Sequence, residues 1–200
     1  MSDPEALPLI ARIAVYCGSS SGTSPQYSAA ATNVGREIAH RGLELVYGGG
    51  NVGLMGAVAN AALAAGGRVR GVITRALLLA EVGHTGLTSM EVVESMHERK
   101  AVMAEMADGF LALPGGFGTW DELFEVITWT QLGIHAKPVV LLNVEGFWDG
   151  IVAQTARASS SGFVKPVHAE LLRIADSPTE ALDALLDPVP LPTPKWANRS

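Results

Sequence analysis

Scarcity narrows the field before any motif is read. The 200 residues include a single cysteine, Cys17, so no internal disulfide can form and a disulfide-stapled secreted scaffold is excluded. Cys17 closes an apolar stretch, where a thiol reads as a small buried hydrophobe before it reads as a nucleophile. Charged residues make up only 17% of the chain, and the balance is acidic, at a formal net charge of −6. With no basic run, a nucleic-acid polymer is not an expected partner, because phosphate backbones are held by clustered Lys and Arg. No apolar run reaches the roughly 18 residues that a bilayer span requires, so no membrane partner is expected. The five histidines, His40, His84, His97, His135 and His168, show no His-x-x-x-His spacing. His97-Glu98 lacks the second histidine of a zincin helix, and no metal site is expected. The opening MSDPEALPLIAR has two acids before its first base and no apolar core; a secretory signal is not expected, and the cytoplasm is the expected compartment.

What is present suffices for one folded body. A hydrophobic content of 48% over this length predicts one substantial core, hence a single domain over 1–186. The remaining DPVPLPTPKWANRS, 187–200, reads as a proline-rich tail, extended or disordered, from which Trp196 could dock. Strand and helix signals alternate through the domain. Arg12 to Cys17 reads as a strand, Pro25 to about Arg41 as a helix stopped by Gly42, Leu43 to Tyr47 as a strand, an alanine-rich helix runs to about Ala65, and Arg68 to Ile73 is a third strand. Met90 to Val93, Pro138 to Leu142 and Leu171 to Ala175 read as further strands, with helices over Ser95 to Met106, Phe147 to about Ala158 and Pro178 to Leu186. This alternation predicts an α/β fold of three layers, Rossmann-like, with a mostly parallel sheet and helices on both faces.

The stretch around which the rest is arranged is FLALPGGFGTWDELFEVITWT, 110–130: an apolar strand, a glycine loop after Pro114, and a helix. Gly115, Gly116 and Gly118 allow tight turning and close approach, and the helix start offers free N–H groups and the positive end of its dipole, which predicts an anion site, most simply for phosphate. Thr119 stands where a helix N-cap would. Glu122, three residues on, fits both a Thr-x-x-Glu capping box and a functional carboxylate beside the anion; spacing leaves both open. Gly48, Gly50 and Gly53 spell a second glycine pattern. Taken literally it is a dinucleotide fingerprint, but Arg70 and Arg75 stand where its ribose-binding acid would be sought. It reads better as a second phosphate or ribose loop, with Asn51 and Met55 lining the same crevice. Thr74 to Thr88 is irregular, a flap over the ligand, with Glu81 as a solvated loop acid. Arg99 and Lys100 are neighbours on a helix, so they project about 100° apart and cannot both reach one atom.

PGGFGTWDE at 114–122 and SMHERK at 95–100, with YCGSS at 16–20, YGGGNVGLMGAVA at 47–59 and VITWTQLGIHAKPVVLLN at 126–143, resemble the Lonely Guy family of cytokinin riboside 5'-monophosphate phosphoribohydrolases, long labelled lysine decarboxylases. The resemblance covers roughly residues 12 to 185. It implies an enzyme that cleaves the N-glycosidic bond of a nucleoside 5'-monophosphate, N6-modified AMP and also AMP, giving free base and ribose 5-phosphate with no cofactor. Arg99 and Glu122 would be catalytic. Glu81, Lys100 and Thr128 would lie around the ligand, and the phosphate would rest on Gly115, Gly116, Phe117, Gly118 and Thr119, with Ser19, Gly49, Gly50 and Met55 contributed by the other loops. Trp120 and Asp121 fall where many plant relatives have Leu-Glu, so a preference for prenylated adenine does not transfer directly. A homodimer completing the site near its interface is also implied. Two other readings compete: a non-catalytic nucleotide or molybdenum-cofactor binder of the same fold, and the decarboxylase label, for which only Lys100, Lys137, Lys165 and Lys195 are on offer without a pyridoxal-phosphate scaffold.

Overall fold

The computed structural model describes residues 10–80, 83–187 and 189. Its strands are β1 Arg12–Tyr16, β2 Glu44–Tyr47, β3 Arg68–Thr74, β4 Ser89–Val93, β5 Gly109–Ala112, β6 Val139–Leu142 and β7 Leu172–Ala175, and its helices are α1 Pro25–His40, α2 Gly53–Ala64, α3 Arg75–Ala80, α4 Met96–Met106, α5 Phe117–Leu132, α6 Asp149–Ser160, α7 Pro166–Ala169 and α8 Pro178–Ala184. All seven strands are parallel, in the order β4-β3-β2-β1-β5-β6-β7. The expected α/β architecture is therefore the observed one. Short strands such as β2, which after Glu44 is apolar, and the wholly apolar β6 are buried throughout, as strands covered on both faces must be.

Alternation along β1 and β5 splits the core in two. Ile13, Val15, Leu111 and Leu113 face one side, against Val34 and Ile38 of α1 and Val58 of α2. Ala14, Tyr16, Phe110 and Ala112 face the other, against Met103 of α4 and Leu123, Val126 and Ile127 of α5. Parallel register sets Val15 beside Leu111 and Tyr16 beside Ala112. Gly35 lets α1 approach α2 closely, since a Cβ there would overlap the Val58 carbonyl.

The site follows from this order. β1 leads away through α1 to β2 on one side, whereas its other neighbour β5 is reached only after β4 and leads through α5 to β6. The loops after β1 and β5 thus diverge, opening a crevice at the carboxyl ends of the strands.

Three elements depart from the sequence reading. The segment read as irregular holds a helix, Arg75–Ala80, started by Thr74, whose hydroxyl accepts the Leu77 N–H at 3.2 Å. The helix expected from Phe147 begins instead at Asp149, after a 3-10 turn at Val144–Gly146 in which Glu145 takes φ 53°. Pro166–Ala169 forms an unanticipated short helix behind a proline. The tail from 187 and Trp196 lie, except for Asp187 and Val189, outside the described residues. Among the described residues no helix is long and apolar enough to cross a membrane.

Candidate active site

A cavity of about 280 Å³ opens at the crevice, its walls drawn from the end of β1, the loops after β1, β2 and β5, and α2, α3, α4 and α5. Those loops are fastened to each other through Gly18, whose N–H donates to the Pro114 carbonyl at 3.0 Å and whose carbonyl accepts the Leu54 N–H at 3.0 Å. Gly53, at φ 58°, brings the start of α2 so near the Ser19 backbone that any Cβ would overlap it.

One end of the cavity is the start of α5. The helix begins at Phe117 with Gly116 as an extended N-cap, and no side chain caps it. Thr119 is the third helical residue, not the cap, so the Thr-x-x-Glu capping-box reading is overturned. Its physical reason is that Pro114 and the two glycines after it release the backbone three residues earlier, at Gly116, than a cap at Thr119 would require. Gly115 cannot be larger, because its Cβ would overlap the Thr119 hydroxyl; a Cβ at Gly116 or Gly118 meets nothing within 4 Å. Gly116, Phe117, Gly118 and Thr119 all line the cavity, so the uncapped N–H groups and the helix dipole face it, as an anion site needs.

The other end carries one ion pair. Moving the helix start places Glu122 inside α5, buried, and its Oε1 stands 3.2 Å from Nη1 of Arg99, only 7% exposed on α4. The guanidinium is fixed from behind: Nε donates to the Val72 carbonyl at 3.0 Å and Nη2 to the Gly48 carbonyl at 3.5 Å. Of its five N–H donors, this arrangement leaves some directed at the cavity. Burial pushes the Glu122 carboxyl up to about 7, against the opposing pull of Arg99. A carboxyl poised near neutrality can hold or release a proton at working pH. Burial likewise pushes the Cys17 thiol far up, with Glu122's charge adding to it, and the thiol is inert in the cavity wall.

Lys100 goes elsewhere. Its ammonium sits 3.0 Å from Asp121 and 3.1 Å from Glu125, on the side of α5 that the cavity does not use, as the angular divergence from Arg99 requires. The same pairing accounts for Asp121. Ser95 caps α4 by accepting the Glu98 N–H at 3.1 Å, while Glu98 takes the Glu94 N–H in place of the Ser95 N–H of a reciprocal box.

The cavity also brings in Ser19 and Met55. Gly49 and Gly50 lie behind it, where the Gly49 carbonyl accepts the His84 N–H at 3.1 Å and Gly50 bridges Gly83. Asn51 is exposed and is not in its wall; Trp120 meets Phe117 edge-on at 5.4 Å; Thr128 is exposed and donates to the Phe124 carbonyl at 2.7 Å. Glu81 lies outside the described residues. The wall also holds Gly48, the first glycine of the pattern read as a second phosphate or ribose loop, and Val15, Gly18 and Leu77, which sequence reading missed. Leu77 belongs to the helix in the segment read as irregular. Among the described residues no group of three His, Cys, Asp or Glu could hold a metal ion.

Known proteins resemble this chain in sequence and in fold. The family described as "Possible lysine decarboxylase" matches residues 55–185. The probable cytokinin riboside 5'-monophosphate phosphoribohydrolase LOGL9 of Oryza sativa subsp. japonica is 50% identical over 182 residues, 90% of this chain and 79% of that protein. Cytokinin riboside 5'-monophosphate phosphoribohydrolase LOG7 of Arabidopsis thaliana is 47% identical over 174 residues, 87% of this chain and 80% of that protein. Among solved structures, the molybdenum cofactor carrier protein of Chlamydomonas reinhardtii superposes with a TM-score of 0.67 at 22% identity, covering 88% of this chain and 96% of that one. The molybdenum cofactor binding protein of Rippkaea orientalis gives 0.66 at 23%, covering 88% and 95%. At those identities the structures share the fold alone.

Proposed function

The chain belongs to the Lonely Guy family of cytokinin riboside 5'-monophosphate phosphoribohydrolases, and from that membership we infer its reaction and the roles of its residues. It is a hydrolase that cleaves the N-glycosidic bond of cytokinin riboside 5'-monophosphates, releasing the free base and ribose 5-phosphate. The observation that carries the assignment of roles is the buried Arg99–Glu122 pair in one cavity with the uncapped start of α5.

Breaking this bond develops positive charge on the ribose ring and negative charge on the departing base. The 5'-phosphate rests on the N–H groups of Gly116 to Thr119. Glu122 stabilises the cationic ring and takes a proton from the attacking water, whose oxygen bonds to the anomeric carbon as the C–N bond breaks; the departing nitrogen keeps the electron pair and is protonated by solvent, to which Glu122 returns the water's proton. Arg99, held by two backbone carbonyls, orients Glu122 and offers its remaining donors to the ribose hydroxyls. Lys100 and Asp121 act through the packing of α4 on α5.

AMP is a substrate alongside the N6-modified nucleotides on this reading. A homodimer is supported by Met96, Phe124 and Ile134, large apolar side chains left exposed on or beside α4 and α5, whose contact with a second copy would bring the interface beside the site. The single domain over 1–186 and the cytoplasmic compartment belong to the same proposal. Incubation of the protein with AMP and with N6-isopentenyl-AMP tests it: free base and ribose 5-phosphate are expected from both, and release of neither would refute the reaction.

A further inference from the structure

A second cavity, of about 270 Å³, lies on the far side of the α5 start, and it shares Gly18, Ser19 and Gly116 with the catalytic one. Its remaining wall differs in chemistry. Tyr27, Leu54, Pro114 and Phe147 make an apolar floor, Ser20 and Ser21 a hydroxyl rim, and among the described residues no charged side chain lines it. The Tyr27 and Phe147 rings, both half-buried and both lining the cavity, meet edge-on with centroids 6.0 Å apart at 78°, and such rings offer a planar group an apolar surface. Neutral walls do not attract a cation, and in a chain of net charge −6 the absence of a carboxylate lets a phosphate through.

We propose that this second cavity is a subsite for whatever is joined to the outer side of the nucleotide's phosphate, so that the protein binds dinucleotides linked by a 5',5'-pyrophosphate. The proposal rests on the reading that the 5'-phosphate sits on Gly116 to Thr119. From that position the ribose runs towards Arg99 and Glu122, and the opposite phosphate oxygen points across the shared ridge of Gly116 and Ser19. A second phosphate there meets the hydroxyls of Ser20 and Ser21, and the second nucleoside enters a cavity nearly equal in size to the first. Both cavities are walled by the diverging loops after β1 and β5, the place where parallel sheets accommodate two-part nucleotides. The shared ridge leaves room: among the described residues, a Cβ at Gly116 would meet no atom within 4 Å.

The test compares AMP, ADP and the symmetric 5',5'-pyrophosphate of two adenosines by calorimetry and as inhibitors of isopentenyl-AMP hydrolysis by the full chain. Binding of the dinucleotide about ten-fold tighter than ADP is expected, because ADP has the second phosphate without the second ring. Phe147→Ala and Tyr27→Leu, checked for unchanged melting temperature, should erase that advantage while leaving ADP affinity within about two-fold. A dinucleotide less than three-fold tighter than ADP, or variants that weaken both alike, would overturn the subsite; the wild-type comparison decides even if a variant does not fold. Failure of AMP itself to bind would overturn the phosphate position and the subsite with it.

Discussion

Gly48→Ala separates the chemistry of this site from its architecture. The backbone at Gly48 is not in the left-handed region, so alanine meets no conformational penalty there. Its Cβ would overlap Nη2 of Arg99 and come within 3.3 Å of the Met55 sulfur. The guanidinium is the free end of a flexible side chain and gives way, by well over an ångström if ordinary contact distances are to be restored. It then loses the Gly48 carbonyl and opens the 3.2 Å contact with Glu122. A displacement of about 1 Å in a catalytic group costs on the order of a hundred-fold in rate, or about 2.7 kcal/mol of barrier. Glu122, stripped of its counter-charge, should also shift further above its present value of about 7. Steady-state hydrolysis of AMP across pH 5 to 9, with a melting curve, measures all three: kcat/KM down by about a hundred-fold, the acid limb moved to higher pH, the melting temperature little changed. Activity within about three-fold of wild type would refute the claim that a fixed Arg99 is needed.

Three further outcomes are expected. The kcat/KM for AMP should rise with pH through about 7, where Glu122 ionises, and Glu122→Gln should lose at least about a hundred-fold in turnover together with that limb; because its folded value lies above the unfolded 4.5, the native state holds an extra proton between about 4.5 and about 7, stability declines as pH rises through that window, and urea titrations of Glu122→Gln should show the decline reduced. Adenosine should be at least about a hundred-fold worse than AMP in kcat/KM, since several charge-assisted hydrogen bonds to the phosphate position the ribose; equal values would dispose of the phosphate cradle. Gly116→Val should fold with an unchanged melting temperature, its Cβ having no protein neighbour within 4 Å, while AMP hydrolysis collapses; retained hydrolysis would mean that the phosphate lies elsewhere.

Much of the fold is legible because central strands such as β5 and β6 are written as short apolar runs, and β1, β2 and β5 are followed within two residues by a glycine or proline, Gly18, Gly48 and Pro114. β4 is less plain, since an edge strand with Glu91 and Val92 exposed has neither alternation nor an unbroken apolar run. At the site, the glycine loop is readable, and so is the divergence of Arg99 and Lys100, which follows from helical geometry alone. The capping box misled because Thr119 and Glu122 have the right spacing for the wrong register. A cap is set by where the backbone leaves the extended region, and Gly116 does that without any side chain to announce it. Lys100 could not be assigned from sequence either: whether its partners are a ligand or Asp121 and Glu125 depends on how α4 lies against α5.

The two carbonyls behind Arg99 also tie function to the order of assembly. Arg99 stands 27 residues from Val72 and 51 from Gly48, and Glu122 comes later in the chain still. None of these contacts exists until β2, β3 and the helices that cross between them have closed long loops, the slowest events in building a parallel sheet. Helical signal can return early in refolding, from local turns in α1 and α5; a competent ion pair cannot. Recovery of hydrolysis after dilution from denaturant should therefore trail recovery of helicity, making turnover a clock for the final docking of the sheet.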